Sequence, residues 1–124
     1  MRALIETVRV MGGRAPLWDL HLERLRAASR ALGLRVGLPH PPNGDDRIVR
    51  YEIGGDRIST TSRTSSSPAS ISLRVSVVPH PNYPWKTTER QAFDVALTEA
   101  QAAGADDALL LSADGRVREA SRWA

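Results

Sequence analysis

Residues 85–119 read Trp85-Lys86-Thr87-Thr88-Glu89-Arg90 followed by QAFDVALTEAQAAGADDALLLSADGRVRE, and the architecture follows from how this run is parsed. Lys86 is the only lysine among 17 Lys and Arg residues, so a lone amine ahead of a helix asks for a reason. Thr88 is expected to cap that helix, with Gln91 three residues on in the reciprocal capping-box position. Phe93, Ala96, Leu97, Ala100 and Ala103 recur at the three-and-four spacing of one buried face. Gly104 ends the helix in the left-handed conformation that glycine tolerates. Ala108 to Leu111 is short and apolar enough for a buried strand. Ser112-Ala113-Asp114-Gly115 is turn chemistry, and Arg116 to Glu119 begins the return strand of a hairpin. A hairpin packed beside the helix would carry Glu119 back towards Lys86, setting an amine and a carboxylate around one site.

Length and composition bound the rest. At 124 residues the chain is expected to form a single domain, 1–124, with a modest core. That core must be aliphatic, because one Phe stands beside three Trp and two Tyr. The absence of cysteine excludes disulfides and thiolate metal ligands. The net charge of 17 − 14 = +3 comes almost wholly from arginine. These arginines are scattered among acids without a basic tract, which argues against nucleic acid as a partner. No apolar run is long enough to span a bilayer and no signal-peptide pattern is present, so a soluble, cytoplasmic protein is expected. His21, His40 and His80 are dispersed without metal-ligand spacing, and no metal site is expected.

Upstream, Leu4–Val10 alternates from Ile5 on and is rich in β-branched residues, which predicts a strand. Gly12-Gly13 turns the chain, and Arg14 to Leu17 reads as a short return. Asp19 is the expected N-cap of a first helix that runs to about Leu32 and stops at Gly33. Leu22, Leu25, Ala28 and Leu32 form its buried stripe. His21 and Arg24 share a flank beside that stripe. Taken singly, an arginine there is a solvated helix residue, and His21 reads as a structural hydrogen-bonding residue. Residues 39–46 form a proline-rich loop within the domain. Arg47 to Ile53 alternates as a strand, Gly54-Gly55-Asp56 turns, and Arg57 to Arg63 returns as its hairpin partner. Thr60 to Ser72 is dense in serine and threonine and reads as a flexible loop without a serine-nucleophile motif. Ile71 to Val77 is the clearest alternation in the chain, predicting a strand with Ile71, Leu73, Val75 and Val77 inward. Pro79, Pro81 and Pro84 then carry the chain, without sheet pairing, to Lys86.

The lysine followed by Thr-Thr-x-Arg, the run from Ala103 to Leu111, and Asp114-Gly115-Arg116-Val117-Arg118-Glu119 together resemble the central block of the class IV aminotransferases. These are the fold-type IV pyridoxal-phosphate enzymes, and the likeness is greatest to the aminodeoxychorismate lyases among them. His21-Leu22-Glu23-Arg24-Leu25 matches that family's His-x-x-Arg-Leu signature. The start of the chain resembles the lyases that are fused to an aminodeoxychorismate synthase component. The resemblance implies that Lys86 carries the cofactor pyridoxal phosphate, that Arg24 binds its phosphate and that Glu119 contacts its pyridine nitrogen. A guanidinium suits phosphate because its planar fork meets two oxygens and keeps its charge. Arg50, on a strand that lines the substrate side in the family, becomes a weak candidate for binding a substrate carboxylate, against the reading of a solvent-facing edge charge. An amine attacks an aldehyde only as the free base, and an exposed lysine is protonated at neutral pH. The chemistry therefore asks for a partly desolvated pocket with positive charge nearby, which Arg90 supplies if the helix extends back to Lys86.

The fold implied is α+β: an antiparallel sheet of hairpins with two helices on one side, similar to the N-terminal domain of the family. The expectation is a chain that corresponds to that N-terminal half, with the C-terminal domain absent and Ala120 where a glycine usually follows the glutamate. The function implied is an aminodeoxychorismate lyase, converting 4-amino-4-deoxychorismate to 4-aminobenzoate and pyruvate in folate synthesis, with little turnover by this chain alone. A branched-chain or D-amino-acid transaminase is the alternative within the family. Gln91, where the transaminases commonly place tyrosine, the Lys86-to-Glu119 interval of 33 and Arg90 four residues after the lysine favour the lyase. A third reading is a non-catalytic folded remnant that dimerises through an uncovered apolar face. The partners implied are a small-molecule amino substrate and either a second copy or the C-terminal domain, with neither nucleic acid nor membrane.

Overall fold

Alternation in the first strand gives it two faces with different fates. The computed structural model describes residues 3–64 and 68–122. Its elements are β1 (Leu4–Val10), α1 (Trp18–Leu32), β2 (Arg47–Gly54), β3 (Arg57–Arg63), β4 (Leu73–Val75), α2 (Gln91–Ala102), β5 (Asp107–Leu111) and β6 (Val117–Ala120). They gather into two units, Met1–Ser66 with Trp85–Thr88, and Ser67–Pro84 with Glu89–Ala124. Each unit holds one three-stranded sheet and one helix, so the chain is α+β.

In the first unit β2 is central and antiparallel to both neighbours. The register Leu4↔Ile53, Glu6↔Tyr51 and Val8↔Val49 sets these residues on one face. Their apolar members form a core there with Leu25 and Ala28 of α1. Trp18 closes it, its ring 5.9 Å from that of Tyr51. Gly55-Asp56 is the two-residue turn between β2 and β3, and the positive φ of Gly55 (+60°) is what a type II′ hairpin requires.

The end of α1 follows the sequence reading and its start does not. Gly33 (φ +65°) donates its N–H to the Arg30 carbonyl, and the Leu34 N–H reaches the Ser29 carbonyl, a Schellman closure. At the other end the helix begins at Trp18 and has no side-chain cap. The Trp18 N–H already donates to the Ala15 carbonyl. Winding therefore starts before Asp19, which lies inside the first turn, where its charge complements the helix dipole. The buried stripe is Leu25, Ala28 and Ser29, with Leu22 and Leu32 half-buried at its margins.

The first unit also recruits residues 86–88. The Ile5 N–H donates to the Lys86 carbonyl and the Thr88 N–H to the Ala3 carbonyl, each at 2.9 Å, around an antiparallel Leu4↔Thr87 bridge. Lys86 thus lies in an extended segment on the outer edge of β1. The expected Thr88 cap is overturned, because the Thr88 hydroxyl accepts the Ala3 N–H at 3.1 Å and α2 begins at Gln91 without a side-chain cap.

In the second unit β5 is central, parallel to β4 and antiparallel to β6. Phe93, Ala96 and Ala100 of α2 cover Ala108 and Leu110 of β5. The parallel register pairs Val75 with Leu109, one residue out of phase with those two, so β4 turns its apolar side away from α2. Leu73, Val75 and Val77 are 44%, 55% and 87% exposed, which corrects the expectation that they face inward. The turn at 112–115 forms as read, with the Ser112 N–H on the Arg116 carbonyl at 2.8 Å. Past β6 the chain is held by buried Asp107, whose carboxylate accepts the Ser121 hydroxyl and the Arg122 N–H. The serine- and threonine-rich segment divides: residues up to 63 belong to β3, and residues 65–67 lie outside the described residues.

The two faces predict different mutational costs. Leu25→Ala should lower the unfolding free energy by about 2–5 kcal/mol in urea titrations. Val75→Thr, at an exposed position of β4, should change it by less than about 0.5 kcal/mol; comparable losses would mean that β4 faces the other way.

Candidate functional site

Lys86 is placed by strand register. Because Leu4 pairs with Thr87, Lys86 lies opposite Ile5 and shares its face, which is also the face of Thr7. The Lys86 Nζ donates to the Thr7 Oγ1 at 3.2 Å. Thr7 in turn lies directly across from Arg50. Lys86, Thr7 and Arg50 therefore share the sheet face that looks away from α1. Arg50 is on the central strand rather than at an edge, and it donates to the Glu52 carboxylate at 2.9 Å with both side chains 42% exposed.

The opposite face carries Glu6, in phase with Leu4 and Val8 and only 2% exposed. Arg24 Nε and one terminal guanidinium nitrogen donate to its two oxygens at 2.6 and 2.7 Å, and the His21 Nδ1–H donates to Oε2 at 2.6 Å. A carboxylate withdrawn from water requires partners of this kind. Arg24 itself is 58% exposed, so Glu6 braces a guanidinium that still reaches solvent. Sequence reasoning passed over Glu6, although an acid in phase with Val8 and Val10 was a visible signal.

Glu119 belongs to the second unit and Lys86 to the first. It lies on β6 opposite Leu110. Its Oε1 accepts the His80 Nε2–H and the Tyr83 hydroxyl, both at 2.9 Å. His80 is buried, stacked on Tyr83 and edge-on to Phe93. The Tyr83 phenol is pushed above its ordinary range, first by burial and then by its hydrogen bond to Glu119 and that residue's charge. Arg90 lies before the first turn of α2, not on a helical turn shared with Lys86. Its guanidinium sits 4.3 Å over the Phe93 ring and donates to the Ser121 carbonyl. His80 and Tyr83 were missed because a proline-rich loop has no periodicity from which to read side-chain direction.

An open groove of about 560 Å³ at the end of α1, among Arg26, Arg30, Leu34, Arg35 and Asp56, is lined by none of the candidate residues. Among the described residues no group of three or more His, Asp or Glu could hold a metal ion. No helix among them is long and apolar enough to cross a membrane.

No protein-family model matches the sequence, and no curated protein matches it. Solved structures do. A candidate 4-amino-4-deoxychorismate lyase aligns with a TM-score of 0.76 and 27% identity, over 97% of this chain and 57% of that one. A candidate amino-acid aminotransferase from Mesorhizobium loti aligns with a TM-score of 0.78 and 22% identity, over 98% of this chain and 67% of that one. A branched-chain amino acid aminotransferase solved with pyridoxamine 5'-phosphate aligns with a TM-score of 0.69 and 17% identity, over 96% of this chain and 53% of that one. The fold is that of the class IV aminotransferases, the fold-type IV pyridoxal-phosphate enzymes. The chain spans 57% of the length of the lyase-like structure.

The side chains fit pyridoxal phosphate in their chemistry. Lys86 is a primary amine suited to an aldehyde, and Arg24 is a guanidinium suited to phosphate. Glu119 is a carboxylate whose Oε2 accepts no hydrogen bond among the described residues.

Arg24→Ala leaves the buried Glu6 carboxylate with His21 and should cost about 1.5–3 kcal/mol in urea unfolding. Arg24→Lys should recover only part of this, because an ammonium lacks the fork. A loss below about 0.5 kcal/mol would show that Arg24 does not brace Glu6. Burial also raises the pKa of Tyr51, so both tyrosines should ionise above their ordinary value of 10.0. The unfolded phenols lose their protons first. The resulting contribution to stability is therefore intact at neutral pH and is lost as pH rises through the folded-state values. Ultraviolet titration of tyrosinate checks this, and ionisation at or below the ordinary value would contradict it.

Proposed function

We propose that this chain takes part in pyridoxal-phosphate chemistry on a small amino-substituted acid. The specific activity proposed is aminodeoxychorismate lyase: 4-amino-4-deoxychorismate to 4-aminobenzoate and pyruvate, a step of folate synthesis. The observation that carries this reading is the sole lysine held by Thr7 on the sheet face that looks away from α1, with Arg50 directly across from Thr7. When bound, the cofactor supplies an electron sink for the charge left as a substrate loses a proton. Lys86 Nζ is the group of this chain that takes that proton and returns it, and the Thr7 hydroxyl orients the amine. Arg50 offers a planar fork to a substrate carboxylate. Arg24, braced by Glu6 on the sheet face opposite Lys86, would offer its guanidinium to a phosphate, and Glu119 would offer its carboxylate to a ring nitrogen.

The lyase is preferred because Gln91 stands where the transaminases commonly have tyrosine, and the name of the lyase-like structure supports the same side. Transamination of branched-chain or D-amino acids is the second reading, supported by the similarity to the aminotransferase from Mesorhizobium loti.

Incubation with pyridoxal phosphate should produce a visible absorption band that borohydride fixes onto the protein, with the added mass mapped to Lys86. Lys86→Ala should abolish both band and label. Absence of a band in the parent protein, or its survival in Lys86→Ala, would sink the assignment.

A further inference from the structure

We propose that His80 and Tyr83 are positioning residues for Glu119: by occupying its Oε1 they commit Oε2 as the acceptor for the ring N–H of the bound pyridine cofactor. This rests on the functional reading above and deepens it by naming what aims the carboxylate. Two donors at 2.9 Å converge on the same oxygen, and none of the described residues donates to the other. The terminal torsion of a glutamate is broad, so without such donors the carboxylate would sample many orientations.

The His80 donor is itself fixed. The Asn82 N–H donates to His80 Nδ1 at 3.0 Å, so that nitrogen carries no proton and Nε2 must carry it. Asn82 presents this N–H from a left-handed backbone conformation (φ +52°), one that asparagine adopts more readily than most residues. The His80 backbone is tied to β5 through its N–H on the Leu111 carbonyl at 2.8 Å. Its ring is held between Tyr83 and Phe93, at 5.5 and 5.6 Å between centroids. The result is a buried donor behind a partly open acceptor: the His80 side chain is 4% exposed and that of Glu119 is 37% exposed. A latch that merely tied the loop to β6 would not need both donors on one oxygen.

The test uses the 124-residue chain. Long-range proton–nitrogen NMR should find His80 as the Nε2–H tautomer, with its hydrogen-bonded proton lost in Glu119→Ala. Pyridoxal phosphate binding is then followed by absorbance. Tyr83→Phe and His80→Leu should each weaken binding about fivefold and shift the band of the bound cofactor. His80→Gln, whose amide N–H can still donate, should keep the parent band. Where His80→Leu fails to fold, Tyr83→Phe and His80→Gln carry the comparison. A parent-like band and affinity in Tyr83→Phe and His80→Leu, or His80 as the Nδ1–H tautomer, would overturn the positioning role while leaving the Lys86 assignment standing. Failure of the parent protein to take up the cofactor would overturn both.

Discussion

A buried carboxylate fixes the geometry of the first unit. Glu6 occupies an inward position of β1 among Leu4, Val8 and Val49, where an unpartnered charge would be strongly unfavourable. His21 and Arg24 satisfy it from one flank of α1, three residues apart, so the helix can dock only in the orientation that brings both to the same strand position. Stability alone does not call for this arrangement. Replacing buried ionic groups with well-packed apolar residues is often neutral or stabilising. What an apolar residue could not do is hold a guanidinium fork on the exposed flank of α1.

The period of two then decides what the other face carries. Residues 86–88 pair with the outer edge of β1, covering backbone donors and acceptors that an edge strand would otherwise offer to another chain. In this register Trp85 packs against the core while Lys86 points to the far face, with Thr7 and Arg50. A slip of one residue would exchange them, placing an indole in solvent and an amine against aliphatic side chains. Packing of Trp85 is therefore what holds Lys86 in place.

Much of this was legible in the sequence, and the failures share a cause. Leu4–Val10, the β2–β3 hairpin, the Gly33 stop and the turn at 112–115 are written locally, in alternation and turn chemistry, and they form where they were read. Thr88 was read as a cap because nothing nearby shows that Ala3, 85 positions away, will claim its hydroxyl. Of the alternating run Ile71 to Val77 only Leu73–Val75 forms a strand, and which of its sides is covered depends on where α2 lies over β5, which no local pattern encodes. Arg24 was singled out through its helix signature, whereas its partner Glu6 required reading an acid at an inward strand position as meaningful. His80 and Tyr83 lay in a loop where side-chain direction follows no period at all.

Glu6 and Glu119 separate by how their oxygens are used. Each is held by a histidine and a second donor, so partner identity alone does not distinguish them. In Glu6 the three donors spread over both oxygens, and the side chain is sealed in the core with nothing left to offer a ligand. In Glu119 both donors fall on Oε1, and the carboxylate remains partly exposed. One acid is consumed in building the scaffold. The other is braced from behind with an acceptor remaining, which is the arrangement a site needs if it is to recognise a protonated heteroaromatic nitrogen without reorganising.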